Sequence, residues 1–145
     1  MTDRSFVDTN ILVYGVDTDL PHKRDIALSL IADLIRRNHL VLSSQVLAEF
    51  VSALMKPRFR LSREQIRKCL GPYQLSPLVA IDHVLVLRAL DAQSRYQLSW
   101  WDSLIVAAAE RGSCKVIYSE DLNHGQSYFG IAVCNPFSHA VMDAE

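Results

Sequence analysis

The sequence has no C-x-x-C and no H-x-x-x-H spacing, so neither a zinc ribbon, a dithiol redox centre nor imidazole-based zinc chemistry is offered. Its three cysteines, Cys69, Cys114 and Cys134, stand far apart and are expected to be free thiols. No long apolar run is present: the longest without a charge, Leu104 to Ala109, is far too short to span a bilayer. The opening MTDRSFVDTN has no apolar stretch of signal-peptide length, so a cytoplasmic protein without membrane attachment is expected. Glycine and proline are scarce, at five each, and no repeat or linker interrupts the chain. No charge sign dominates either. With a formal net charge of −1, nucleic-acid binding has to be argued from a local patch.

What is present is a globular composition, half apolar and 21% charged, in 145 residues. One domain over residues 1–145 is expected. Short unalternating apolar runs recur: Ser5 to Asp8, Leu40 to Ser43, Leu78 to Ile81, Lys115 to Ser119 and Ile131 to Cys134. Between them lie segments of helical spacing over 20–37, about 46–54, 63–70, 83–95 and 99–111. Ser62-Arg63-Glu64-Gln65 reads as a capping box. Buried strands alternating with helices predict a three-layer α/β/α sandwich around a parallel sheet of four to five strands. In such sheets ligands bind beyond the carboxyl ends of the strands, which directs attention to the residues just after each one.

Four acids lie at strand ends or in apolar settings. Asp8 ends the first strand, where it also suits a helix cap. Glu49 sits at the edge of an apolar helix face, where the plainer reading is a rim residue whose carboxylate reaches water. Asp102 lies in the first turn of Ser99 to Arg111, a helix apolar nearly all round, where Ser99-x-x-Asp102 also reads as a capping box. Asp121 follows the fourth strand in a polar turn, with Glu120 beside it as the alternative acid. Together the four can converge at one sheet edge. Clustered carboxylates repel one another unless a counter-charge is supplied. The apolar segments hold no matching Arg or Lys, and oxygen donors without imidazole suit Mg²⁺, with Mn²⁺ able to substitute. The chemistry of such sites is in-line attack of water on phosphorus.

Asp8-Thr9-Asn10 after a strand, Glu49-Phe50 on an early helix, the Leu98-Ser99-Trp100-Trp101-Asp102 helix entry and Ser119-Glu120-Asp121-Leu122-Asn123-His124-Gly125 after a late strand resemble the PIN-domain ribonucleases, and most of all the VapC-type toxins of toxin–antitoxin pairs. The resemblance runs over essentially the whole chain. It implies a parallel sheet between helices and Mg²⁺-dependent endonucleolytic cleavage of single-stranded or loop regions of RNA, with tRNA or rRNA the usual targets. It also implies inhibition by a cognate antitoxin. Carried onto this sequence, Asp8, Glu49, Asp102 and Asp121 are the catalytic acids. Asp8, Asp102 and Asp121 would be the direct metal ligands, and Asn10 and Ser119 the polar supports.

For the RNA, one basic stretch stands out: Lys56, Arg58, Arg60, Arg63, Arg67 and Lys68 against Glu64 alone. Arg58, Arg60 and Arg63 are read as phosphate contacts and Phe59 as a base-stacking ring, against the plainer reading of a solvated face. Lys23, Arg24, Arg36 and Arg37 are read as surface charges. Of the adjacent Trp100 and Trp101, about 100° apart on a helix, one is expected in the core and the other facing elsewhere. A homodimer is expected. The competing readings are weaker. A haloacid-dehalogenase-type site needs an acid where Asn10 stands. A non-enzymatic receiver-like module would rest on Asp82, which leaves Asp102 unexplained, and a non-enzymatic RNA-binding module of α/β fold is the other alternative.

Overall fold

The computed structural model describes residues 3–138. Six strands form one sheet: β1 (Ser5–Val7), β2 (Leu40–Ser43), β3 (Leu78–Val79), β4 (Val116–Tyr118), β5 (Ser127–Tyr128) and β6 (Ile131–Cys134), in the order β3-β2-β1-β4-β6-β5. All neighbours pair in parallel except β5 with β6. The expected parallel sheet is therefore present, with one strand more than the four to five read from the sequence. The extra strand, β5, is two residues long and antiparallel, below the length at which an apolar run declares itself. β3 is shorter than expected because Ala80 and Ile81 leave the ladder to approach the Asp82 cap, and the Ile81 N–H donates to Ser44 Oγ at 3.2 Å.

Six helices connect the strands: α1 (Thr9–Tyr14), α2 (Pro21–Arg36), α3 (Ser44–Leu54), α4 (Arg63–Leu70), α5 (His83–Tyr96) and α6 (Trp100–Arg111). Their starts follow local chemistry. Asp8, Ser43, Ser62, Asp82 and Ser99 each accept a backbone N–H from the first turn of the following helix. The Ser62–Gln65 capping box is complete. α2 instead begins at Pro21 after an uncapped Leu20, where the missing proline N–H costs nothing.

Parallel crossovers are right-handed. The chain leaves β1 toward β2 and β3 through α1 to α4, then returns past β1 to β4 through α5 and α6, which places the two helix groups on opposite faces. The packing agrees: α1 lies against α2 and α3, α5 against α6, and both α2 and α6 reach β2. The sheet core (Phe6, Val7, Val41, Leu42, Ile117) is sealed between them, and α6 is buried from Ser103 through Ala109. Fully burying each large apolar side chain of this kind is worth roughly 1.5–3 kcal/mol.

The strand order reverses between β1 and β4. Their carboxyl ends, Asp8 and Ser119-Glu120-Asp121, open into the crevice where a sheet of this kind receives ligands.

Candidate active site

Asp8 leaves β1 with extended backbone and caps α1, its Oδ1 accepting the Thr9 N–H at 2.7 Å. Its other oxygen accepts from Ser119 Oγ at 2.8 Å and, at 3.5 Å, from Asn10 Nδ2. Only 6% of the residue is exposed. Burial pushes its carboxyl from the ordinary 3.8 up to about 6. The Ser119 and Thr9 bonds oppose that rise, and the charges of Asp121 and Asp102 add to it.

Asn10, two residues on, ties the two strand ends together. Its Nδ2 donates to Asp121 Oδ2 at 3.0 Å, and its Oδ1 accepts the Glu120 N–H at 3.2 Å. Ser119 Oγ in turn accepts the Asp121 and Leu122 N–H groups at 3.1 and 3.3 Å. One amide and one hydroxyl therefore hold Asp8 and Asp121 in a single hydrogen-bonded knot. Asp102, half-buried in the first turn of α6, joins it electrostatically. Burial raises its carboxyl, the Ser99 hydroxyl opposes this, and Asp121 raises it further. The Asp102 N–H donates to Ser99 Oγ at 3.2 Å. The reciprocal bond from the Ser99 N–H that would close a capping box is not made; the Asp102 carboxyl has the Ser99 hydroxyl beside it instead.

The sequence left Glu120 and Asp121 both open, and the geometry separates them. Glu120 turns to the other side, where Lys23 Nζ donates to its Oε2 at 2.6 Å and the Tyr14 hydroxyl donates to its Oε1. Burial alone would raise the Glu120 carboxyl, but these two bonds outweigh it and hold it below its ordinary value. Lys23, read from the sequence as a surface charge, is thus bound between α1 and the turn after β4, with its ammonium 4.6 Å from the Tyr14 ring centre.

Glu49 stands apart from the knot. It is exposed on α3 and lines a cavity of about 390 Å³ with Gln45, Ala48, Ile81 and Trp101. Asp82, on which the receiver-like reading rested, caps α5 and pairs with Arg111 at 2.8 Å, a structural use.

In the basic stretch, Arg58 Nη2 lies 2.9 Å from the buried Asp17 Oδ2, and its guanidinium sits 4.0 Å over the Phe59 ring. Phe59 is half-buried against the core, with that face covered. Arg58 holds the Asp17 carboxyl below the usual carboxylate range. Asp17 was missed in the sequence because its partner lies 41 residues away, in a loop with no pattern of its own. Arg60 and Arg63 have exposed side chains. Arg58→Ala is therefore expected to lower the melting temperature, by stranding Asp17. Arg60→Ala and Arg63→Ala should leave it unchanged; on the sequence reading of this stretch as a phosphate contact, they should also flatten the salt dependence of RNA binding. Melting curves and binding isotherms at several salt concentrations check both. An unchanged salt slope would leave the patch a solvated face.

The donor set suits a hard divalent cation: Asp8 is buried and Asp102 half-buried, the Asp121 charge raises both, and no Lys or Arg of the described residues forms an ion pair with any of the three. As they stand, no three His, Cys, Asp or Glu side chains among the described residues form a closed metal-binding group.

The PIN domain family model matches residues 5–128. The chain belongs to the PIN domain family. Among solved structures, this PIN domain is similar to a chain of a toxin–antitoxin complex from Klebsiella pneumoniae, with TM-score 0.67 and 19% identity over 92% of this chain and 98% of that one. It is also similar to VapC20 of Mycobacterium tuberculosis, a sarcin–ricin loop cleaving toxin, with TM-score 0.60 and 18% identity over 81% and 89%. A third is VapBC2 of Rickettsia felis, bound to a DNA fragment from its promoter, with TM-score 0.65 and 17% identity over 89% and 96%. These likenesses carry the fold. A search of curated protein sequences finds no match. No helix among the described residues is long and apolar enough to cross a membrane. Cys69, Cys114 and Cys134 are free.

Proposed function

We propose that this PIN domain, spanning the chain as one unit, is a Mg²⁺-dependent endoribonuclease toxin of the cytoplasm, active on single-stranded or loop regions of RNA and silenced by an antitoxin. The observation that carries the reading is the knot of Asp8, Asn10, Ser119 and Asp121 at the sheet's switch point, with Asp102 facing it and no basic side chain of the described residues paired to any of the three aspartates. Support comes from the RNA-cleaving toxin and the toxin–antitoxin complexes among its structural neighbours.

In this reading Asp8, Asp102 and Asp121 hold the cation. Bound there, Mg²⁺ or Mn²⁺ supplies Lewis-acid activation of water and charge neutralisation at the phosphate. Asn10 and Ser119 fix the orientation of the Asp8 and Asp121 oxygens, so little reorganisation accompanies the reaction. Glu49, exposed on α3 and apart from the knot, is kept as the fourth acid on the strength of the resemblance, with the role of taking the proton from the attacking water. Arg60 and Arg63 track the phosphate backbone. An antitoxin and a second copy of the chain are the protein partners.

The test is total RNA incubated with partner-free protein in Mg²⁺ and in EDTA, with the cut ends mapped by sequencing. Discrete cuts that need the metal are expected. Mg²⁺ alone should also raise the melting temperature, by preferential binding to the folded state worth about 2.7 kcal/mol at 100 times its Kd. Asp102→Asn should remove most of that gain. RNA left intact by folded protein in Mg²⁺ sinks the reading.

A further inference from the structure

Glu120 is held at both ends. Its backbone N–H donates to Asn10 Oδ1 at 3.2 Å, inside the knot. Its carboxylate lies on the other side of the turn, where each oxygen has its own donor, Lys23 Nζ on Oε2 and the Tyr14 hydroxyl on Oε1. Lys23 Nζ also donates to the Tyr14 hydroxyl oxygen at 3.3 Å, closing a ring of three side chains. The ammonium stands 5.3 Å from the Phe137 ring centre as well as over Tyr14, and the two rings meet edge to face at 5.0 Å. α1, α2, the turn after β4 and the chain following β6 are thus gathered at one point. Surface ion pairs contribute little. This one is sheltered, with Lys23 35% and Glu120 26% exposed at the side chain, and its charge-assisted bonds are short and directional.

We propose that Lys23, Tyr14 and Glu120 form a clamp that positions Asp121, fixing the turn after β4 and with it the spacing of the acids around the cation. The proposal deepens, and rests on, the ribonuclease reading above. The link is mechanical. Ser119, Glu120 and Asp121 are consecutive, so the turn moves as a piece. The clamp holds its middle residue from the side of α1 and α2. The knot holds it from the other side, through Asn10 Nδ2 on Asp121 Oδ2 at 3.0 Å and Ser119 Oγ on the Asp121 N–H at 3.1 Å. Asp8, Asp102 and Asp121 repel one another, so a turn released from the clamp is driven outward, away from the other two acids. Mg²⁺ demands near-ideal octahedral geometry and penalises such a displacement. Charge alone has the opposite effect. Lys23 and Glu120 cancel each other, and removing the ammonium leaves one more negative charge near the site, which attracts a cation. Lys23→Met therefore separates positioning from charge, because the two change the Mg²⁺ Kd with opposite sign.

The experiment is a calorimetric Mg²⁺ titration of the full chain, with a ¹H–¹⁵N spectrum recorded in EDTA beside it. Lys23→Met keeps the apolar stem, and Tyr14→Phe keeps the ring and the net charge while losing the hydroxyl. Each should raise the Mg²⁺ Kd about tenfold, the low end of what groups just outside the ligands of a metal site supply. Each should also shift the Asn10 side-chain amide in EDTA, with neither metal nor RNA present. Lys23→Arg, which keeps a cation for the carboxylate, should restore most of the affinity. Cleavage by Lys23→Met or Tyr14→Phe should recover toward the wild-type rate as Mg²⁺ is raised. A Kd lowered by Lys23→Met would overturn the proposal. So would a Kd and Asn10 resonances unmoved in both variants while the melting temperature falls, which would leave a stabilising ion pair only. Wild-type protein that binds no Mg²⁺ sinks the ribonuclease reading. The clamp is then decided by the EDTA spectrum, where Asn10 resonances shifted by Tyr14→Phe uphold it and unmoved ones overturn it.

Discussion

In EDTA at pH 7, Asp8→Asn is expected to raise the melting temperature by a few degrees and, in Mg²⁺, to lower RNA cleavage by on the order of 10³-fold, the scale of deleting one preorganised electrostatic group. The two effects have one cause. Burial, with the added charges of Asp121 and Asp102, lifts Asp8 from 3.8 to about 6 in the folded protein. Folding therefore favours the protonated acid. The folded state is most stable, in this respect, below about pH 4. Stability is lost as pH rises from there through about 6 and stays lost above it, a penalty of about 3 kcal/mol. Asparagine removes the charge and keeps an acceptor for the Thr9 N–H, but it loses acceptance from Ser119, so a gain of about 1–2 kcal/mol remains. Thermal melts in EDTA across pH 4 to 8 should show the wild type losing stability over that window and the variant holding it. A variant that melts lower and still cuts RNA would sink both the electrostatic argument and the role of Asp8. The same linkage means that a cation binding near pH 6 expels a proton, readable as a buffer-dependent binding enthalpy.

Asn10→Asp should do the reverse. The substitution keeps an oxygen for the Glu120 N–H. It replaces the one amide that donates to both Asp121 and Asp8 with a further negative oxygen aimed at two others. Two hydrogen bonds turn into like-charge contacts, and a loss of about 2–4 kcal/mol in EDTA is expected. Mg²⁺ should restore more stability to this variant than to the wild type, because the added oxygen is itself a ligand for a hard cation. Denaturant titrations with and without Mg²⁺ measure both quantities. A midpoint unchanged in EDTA would mean that the Asn10 amide does not hold the knot.

The residues that sequence reading found and those it passed over differ in how far apart their partners lie. Asp8 was legible because a short apolar run ends on it, and the start of α6 because Ser99 precedes an unbroken apolar stretch. The Ser62–Gln65 box was legible because both halves lie within one turn. Glu120 and Asp121 were indistinguishable, since adjacent residues on a turn share every local signal and differ only in which way they face. Lys23 and Glu120 meet across 97 residues and Asp17 and Arg58 across 41, and neither pairing leaves a mark on its own segment. Gln45 was not singled out, because one polar residue in the first turn of a helix carries no signal of its own. Only burial shows that half its amide is unused. β5 escaped because two residues of an antiparallel edge carry no period.

That brevity has a consequence at both margins of the sheet. Exposed strand edges are ready templates for another chain, and natural proteins manage them. Here each margin, β3 on one side and β5 on the other, is two residues long. An incoming strand would gain one or two ladder bonds at either, too few to offset the cost of ordering it. The molecule is thereby guarded against edge-to-edge fibre growth, and an inhibitor cannot capture it by extending the sheet. A polypeptide that silences this domain has to recognise side chains, on the helical faces or at the mouth of the acidic crevice.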